Sequence, residues 1–411
     1  MRHDRDTDDA RDLYSRGHDA LAGGEYREAV ECFSRAIRLR PDVPAGYRYR
    51  AKAYLELGDR VSALNDLDHA IRLKPDDPQV YADRATELFA QKAFDPAIAD
   101  CDRALNLDPG RAAVNALRGR CHAARGDAAA ARADLAVAIV GDPENAPRYL
   151  LWRAELNRDC DDLAAAERDC SDSIRRDPGN AEAFFARGAI RRQNGETDGA
   201  VGDFSEAIRL DPKHALAHLG RAAGHFARVD YAAVVADCDA AIAAFPGLVR
   251  AYELRGTAKK HLGDLGGAMA DYDAAVRLAP GAVGPYNLRA EIHYARRDYA
   301  AAAGDHMEAL KRDPRHAATF NQLGWVWATC PDPDVRNGTR AKECATRACE
   351  LSEWGEAGFL DTLAAACAEC GEFDAAVRWQ EKALALDPDD AEYHARLDLY
   401  RRRKPARAEG G

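Results

Sequence analysis

Nine arginines recur along this chain of 411 residues in a regular rhythm: Arg16, Arg50, Arg84, Arg118, Arg153, Arg187, Arg221, Arg255 and Arg289. Eight aspartates keep the same rhythm: Asp66, Asp100, Asp134, Asp169, Asp203, Asp237, Asp271 and Asp305. A guanidinium presents a planar fork of donors that matches a carboxylate edge, so the two series suit a ladder of bidentate ion pairs. Pairing each arginine with the aspartate that follows it leaves only Arg16 without an aspartate. Pairing each aspartate with the next arginine strands Arg16, Arg50 and Asp305. The first register is expected, with the role of fixing how successive segments align. The competing use of the arginines is to hold a ligand.

Other reactive side chains support less. Cys344, Cys349, Cys367 and Cys370 include a CAEC run with zinc-type spacing. Cys344 and Cys349, five residues apart, fall on different faces of one helix and do not both meet the other two. His214, His218 and His225 have helical spacing without an acidic motif and are expected in a groove or at the surface. No metal and no cofactor are expected. The chain holds no GxxxxGK[ST], HExxH, GxSxG or GxGxxG. No catalytic residue is assigned, and the chain reads as a non-enzyme.

What positions the charged series is a repeat. From Ala10 the period is 34 residues: 10–43, 44–77, 78–111, 112–145 and, after one added residue at Ala146, 147–180, 181–214, 215–248, 249–282 and 283–316. These nine regular repeats span 10–316. Two variant repeats cover 317–390, the first lengthened by an ordered surface loop at 330–340. There both charged series stop together, with Leu323 and Leu363 facing Cys344 and Trp379. Residues 1–9 are expected to be a flexible N-terminus, 391–403 a capping helix presenting Tyr393, Leu397 and Tyr400, and 404–411 a disordered tail. Position eight of every repeat is glycine or alanine. Position twenty is alanine except at Val234, and position twenty-seven is alanine except at Ser173. Small residues at matched heights let two helices approach closely. Prolines such as Pro178 and Pro212 close the repeats, and glycines such as Gly58 and Gly195 follow the first helix, where a left-handed cap is wanted. Each repeat therefore reads as two amphipathic helices, and the chain as all-α.

Composition agrees. The apolar fraction of 47% rests on alanine, with 8% aromatics, which suits close helix contacts. A net charge of −11 argues against nonspecific binding to nucleic acid or anionic membrane. No run approaches ~18 apolar residues, so no membrane span is expected. The charged start MRHDRDTDDARD lacks a signal-peptide core, and eleven cysteines without a framework spacing fit reduced thiols. Cytoplasmic residence is the expectation.

The stretch AEAFFARGAIRRQNGETDGAVGDFSEAIRLDPKH (181–214) and its copies over 10–390 resemble the tetratricopeptide repeat. The segments LGWVWATCPDPDVRNGTRAKECATRACEL and LDTLAAACAECGEFDAAVRWQEKALALDP resemble a C-terminal ending of bacterial proteins of this kind. The resemblance implies a right-handed superhelical solenoid of helix-turn-helix repeats whose first helices line a concave groove. It implies a protein–protein interaction scaffold that binds a partner protein or extended peptide, without catalysis. A noncatalytic regulatory subunit of an enzyme is the alternative, and a helical-repeat nucleic-acid reader is disfavoured by the acidity. The family's chaperone-tail clamp and its asparagine ladder both lack their residues here. Among groove positions, one concentration of cations and aromatics stands out as a partner-binding candidate: Arg120, Arg148, Trp152, Arg158, Phe185 and Arg192, diluted by Glu155 and Glu182.

Overall fold

Two amphipathic helices per repeat, each too short to stand alone in water, are stable only when stacked. The structure, a computed structural model, describes residues 2–407, with side chains from residue 9 onward. Those residues form twenty-three helices and no strand. They fall into two compact units that divide between Leu210 and Asp211. In the first unit run α1 (Arg2–Ala22), α2 (Tyr26–Leu39), α3 (Pro44–Glu56), α4 (Arg60–Leu73), α5 (Pro78–Ala90), α6 (Phe94–Leu107), α7 (Ala112–Ala124), α8 (Ala128–Gly141), α9 (Ala146–Asp159), α10 (Leu163–Arg176), α11 (Ala181–Gln193) and α12 (Thr197–Leu210). The second holds α13 (Ala215–Ala227), α14 (Tyr231–Ala244), α15 (Val249–His261), α16 (Leu265–Leu278), α17 (Gly284–Ala295), α18 (Tyr299–Arg312), α19 (Ala317–Thr329), α20 (Gly338–Leu351), α21 (Ala357–Glu369), α22 (Phe373–Leu386) and α23 (Ala391–Arg401).

Odd-numbered helices open each repeat and even-numbered ones close it. Within each unit an opening helix packs on its own closing helix, and that helix packs on the next opening one. Neighbouring opening helices such as α5, α7, α9 and α11 also touch, so they share one face. The contacts rest on the small residues: Ala29, Ala63, Ala97, Ala131, Ala166 and Ala268 at position twenty are fully buried. Position eight is matched to the side chain opposite. A Cβ on Gly188 would come 2.9 Å from the Phe204 ring, and one on Gly256 would come 2.6 Å from Tyr272. Where position eight is alanine, as at Ala154 and Ala222, the opposing core residue is the smaller Cys170 or Cys238.

The turn inside each repeat needs a left-handed residue. Gly58 and Gly195 supply it at φ 80° and 81°, whereas Val229 takes φ 62° with a branched side chain. An aspartate then caps the closing helix: the Asp59 carboxylate accepts from Ser62 N at 3.1 Å and Asp298 from Ala301 N at 3.1 Å. Repeats are closed through proline carbonyls. Tyr47, Tyr81 and Tyr286 donate their hydroxyls to Pro41, Pro75 and Pro280.

The ends depart from expectation. α1 starts at Arg2, so its backbone is helical through most of the stretch expected to be flexible; no glycine or proline there stops the helix. Residues 404–407, expected to belong to a disordered tail, pack back on the last repeats. Lys404 N donates to Leu399 O, Ala406 is buried, and Arg407 meets Glu369 at 2.6 Å. Residues 408–411 lie outside the described residues. The 391–403 stretch contributes α23, which buries Leu397 and Tyr400. The inserted loop, expected at 330–340, ends at Asn337, which caps α20 by accepting from Arg340 N. It is held by Arg336, which donates to Glu369 and to the carbonyls of Cys330 and Pro331.

Candidate functional site

The charged series meet where opening and closing helices touch. Arg50 donates through Nε and Nη2 to the two oxygens of Asp66, each at 2.7 Å. The same fork joins Arg84 to Asp100, Arg118 to Asp134, Arg153 to Asp169, Arg187 to Asp203, Arg221 to Asp237, Arg255 to Asp271 and Arg289 to Asp305. The aspartates are buried and the arginines partly so, as at Asp203 and Arg187 with side chains 5% and 18% exposed. Bonding to the carboxylate raises the Arg118 pKa, with Asp134 the foremost cause.

The third nitrogen of the guanidinium has a partner that the pairing of the two charged series does not include. Nη1 of the arginine reaches back to the preceding repeat: from Arg50 to Ser34 at 3.0 Å, Arg118 to Asp102 at 2.6 Å, Arg187 to Ser171 at 3.2 Å and Arg289 to Asp273 at 2.8 Å. Arg84 and Arg255 reach Asp68 and Asp239 in the same way. The choice between pairing within a repeat and pairing between repeats was therefore too narrow, because one guanidinium does both. The signal was present: acceptors stand sixteen residues before the arginine as well as sixteen after. It was obscured by alternation of serine and aspartate, and by Ala136, which precedes Arg153 and offers no acceptor. Position eleven adds further donors. Asn157 bonds Asp169 at 3.0 Å, Arg191 bonds Asp203 at 3.0 Å, and Lys259 meets Asp271 at 2.9 Å. Arg16, which has no aspartate, lies 3.7 Å from Glu28.

The groove candidates separate into three groups. Arg120 lies between two rings, 4.5 Å from the centres of both Phe89 and Trp152. Arg148 covers Trp152 at 5.2 Å. Three opening helices, α5, α7 and α9, thus build a column of ring, guanidinium, ring and guanidinium, worth about 0.5–2 kcal/mol per contact. Beside it, Arg148, Trp152, Arg158 and Phe185 line an open pocket of about 470 Å³ with Glu155 and Glu182. Arg158 turns to Asp159 at 3.0 Å, and Phe185 leans on Phe204 with ring centres 5.9 Å apart. Arg192 is exposed and does not line the pocket.

The remaining reactive groups divide: His218, Cys349 and Cys367 are buried, His214, His225 and Cys344 are half-buried, and Cys370 is exposed. His218, expected in a groove or at the surface, is buried, with Nδ1 3.3 Å from Asp237 and Nε2 3.1 Å from Pro212 O. It stands where other repeats place the proline-bonding tyrosine, which is why a polar ring is tolerated there. Burial pushes the thiols of Cys101, Cys170 and Cys238 up to about 12, so they are neutral core groups. Among the described residues, no group of three or more histidine, cysteine, aspartate or glutamate side chains suits a metal ion. None of their helices is long and apolar enough to cross a membrane.

Comparison with known proteins places this repeat. The tetratricopeptide repeat family matches at residues 14–78, 159–215, 185–249, 249–281 and 357–390. Tetratricopeptide repeat protein 16 of Homo sapiens is 44% identical over 57 residues, 14% of this chain and 6% of that protein. The small glutamine-rich tetratricopeptide repeat-containing protein 2 of Mycosarcoma maydis is 33% identical over 63 residues, 15% of this chain and 18% of its own length. The matches thus span less than a fifth of either relative. Among solved structures, the Cut9–Hcn1 assembly aligns over 95% of this chain and 96% of its own with 16% identity and a TM-score of 0.48. Yeast Tom70 aligns over 95% of both chains with 15% identity and a TM-score of 0.41.

Proposed function

The chain belongs to the tetratricopeptide repeat family, and on that premise we propose that it is a non-catalytic scaffold binding a partner protein or extended peptide on the face of its opening helices. The observation that carries this reading is the Arg120 guanidinium between Phe89 and Trp152, with Arg148 also over the Trp152 ring. Rigid aromatic rings backed by cations, bordering an open pocket, have the make-up of binding hot spots. The guanidinium groups suit carboxylates on the partner. The Arg–Asp ladder serves this face indirectly, by fixing the register in which successive opening helices present their side chains. The net charge of −11 favours a protein partner over nucleic acid. Eleven cysteines without a framework spacing suit a reducing compartment such as the cytoplasm.

Affinity purification with mass spectrometry tests the reading, comparing the full chain with Trp152→Ala, Arg120→Ala and, as a neighbour outside the pocket, Arg192→Ala. We expect partners captured by the unaltered chain to fall at least about tenfold with Trp152→Ala, the loss of one hot-spot side chain. Arg192→Ala should retain them. Retention of every partner by both Trp152→Ala and Arg120→Ala removes the column from the binding face.

A further inference from the structure

We propose that a second site, in the last repeats and independent of the column around Trp152, binds a cationic side chain, lysine or arginine, carried by an extended peptide. A cavity of about 610 Å³ opens among α15, α17, α19, α21 and α23, within the ~300–1,000 Å³ range of ligand pockets. Four carboxylates line it, Glu291, Asp361, Asp390 and Glu392, against two cations, Lys260 and Arg396. Both cations are already paired: Lys260 with Glu291 at 2.7 Å, and Arg396 with Asp361 at 2.7 Å and Glu392 at 3.0 Å. The cavity keeps a surplus of negative charge.

The polar groups here are built in at a cost. Asp361 is 4% exposed and accepts from Gln380 Nε2 at 2.8 Å as well as from Arg396. Gln380 is fully buried at the position where other repeats place Phe33, Phe204 or Cys238. His306 occupies that position in its own repeat, and burial lowers its pKa to about 4, so at neutral pH it adds no positive charge. Asn321 also lines the cavity, and its amide oxygen is buried without a hydrogen-bond partner among the described residues. An unpaired buried acceptor is costly and calls for a donor. Aromatic walls complete the chemistry. Trp325, Tyr294 and Tyr393 line the space, and the faces of Trp325 and Tyr393 already carry the Arg396 guanidinium at 5.3 and 5.4 Å. Surplus carboxylate, a waiting acceptor and ring faces that carry a guanidinium together favour a cation over an anion or a neutral group.

The test uses the full chain labelled with 5-fluorotryptophan, whose five tryptophans give separable fluorine NMR signals, Trp325 being assigned by its loss in Trp325→Phe. The probes are acetylated, amidated pentapeptides with one central arginine, lysine, citrulline or glutamate between glycines. Arginine and lysine peptides should shift the Trp325 signal saturably, citrulline should bind at least about tenfold more weakly, and glutamate should leave the signal in place. Asn321→Leu and Glu291→Gln should each weaken the arginine peptide several-fold. Glu291 is partly exposed, so that variant reports even where Asn321→Leu disturbs folding. Citrulline binding as well as arginine overturns the proposal, as does a shift confined to Trp152 or no shift at all. Spermidine matching the arginine peptide makes the occupant a small polyamine and overturns the peptide assignment.

Discussion

Asp203 takes the Arg187 fork on one side and Arg191 Nη1 at 3.0 Å on the other, almost wholly out of water. Deleting such an acceptor leaves two guanidinium groups facing a buried void, which typically costs ~3–5 kcal/mol. Asp203→Ala should lower the urea midpoint accordingly; an unchanged midpoint removes the ladder from the forces that hold the array. The ladder's inner rungs were legible in the sequence because both partners recur in many copies. The backward bond to Ser34 or Asp102 was not, since serine, aspartate and alanine share that position. His306 offers a different readout. Its folded pKa of about 4 lies below its ordinary 6.5, so the unfolded chain takes up the proton first as pH falls. The stabilisation is complete above pH 6.5 and declines through the window down to about 4, by ~3 kcal/mol in all. Other acids also titrate there, so the measurement is a comparison. His306→Gln, which takes no proton, should lose less stability than the parent chain between pH 6.5 and 4.

At the scale of the helix pair, the matching of Gly188 to Phe204 and of Ala154 to Cys170 sets a size rule for position eight. Gly188→Ala drives a methyl into the Phe204 ring and should destabilise by ~1–3 kcal/mol. Phe204→Cys opens a void when made alone. The double variant rebuilds the alanine–cysteine contact of the preceding repeat, so its cost should fall clearly short of the sum of the two; strict additivity in thermal melts contradicts the rule. The paired helices were legible from spacing and small residues. The cavity near Asp361 was not, because it joins regular repeats, through Lys260, Glu291 and His306, to the two variant repeats and α23, which supply no copies for comparison. Arg396 reaches Asp361 across 35 positions of sequence, and no local pattern announces such a meeting. The Trp152 column was partly legible: Arg120, Arg148 and Trp152 belong to the concentration of cations and aromatics visible in the sequence, while Phe89, its fourth member, lies one repeat before it.

For the chain as a whole, eight of the recurring arginines are engaged by ladder aspartates, and the net charge is −11. A polyanion column at low salt should therefore pass the full chain without retention, and firm retention would revive nucleic acid as a partner. The backward-reaching guanidinium also bears on how such an array can lengthen. A tandem duplicate of residues 44–77 would be self-compatible: its arginine would meet an acceptor equivalent to Asp68, as Arg84 now does. A duplicate of 112–145 would face Ala136 instead, and the repeat at 283–316 ends the series by presenting Met307 to a successor that carries Leu323. Insertion by recombination is thus favoured beside repeats that carry an acceptor there, such as Asp68, Ser171, Asp239 or Asp273, disfavoured beside 112–145 and closed off at residue 316. The bond that holds one repeat to the last also decides where another can be spliced in.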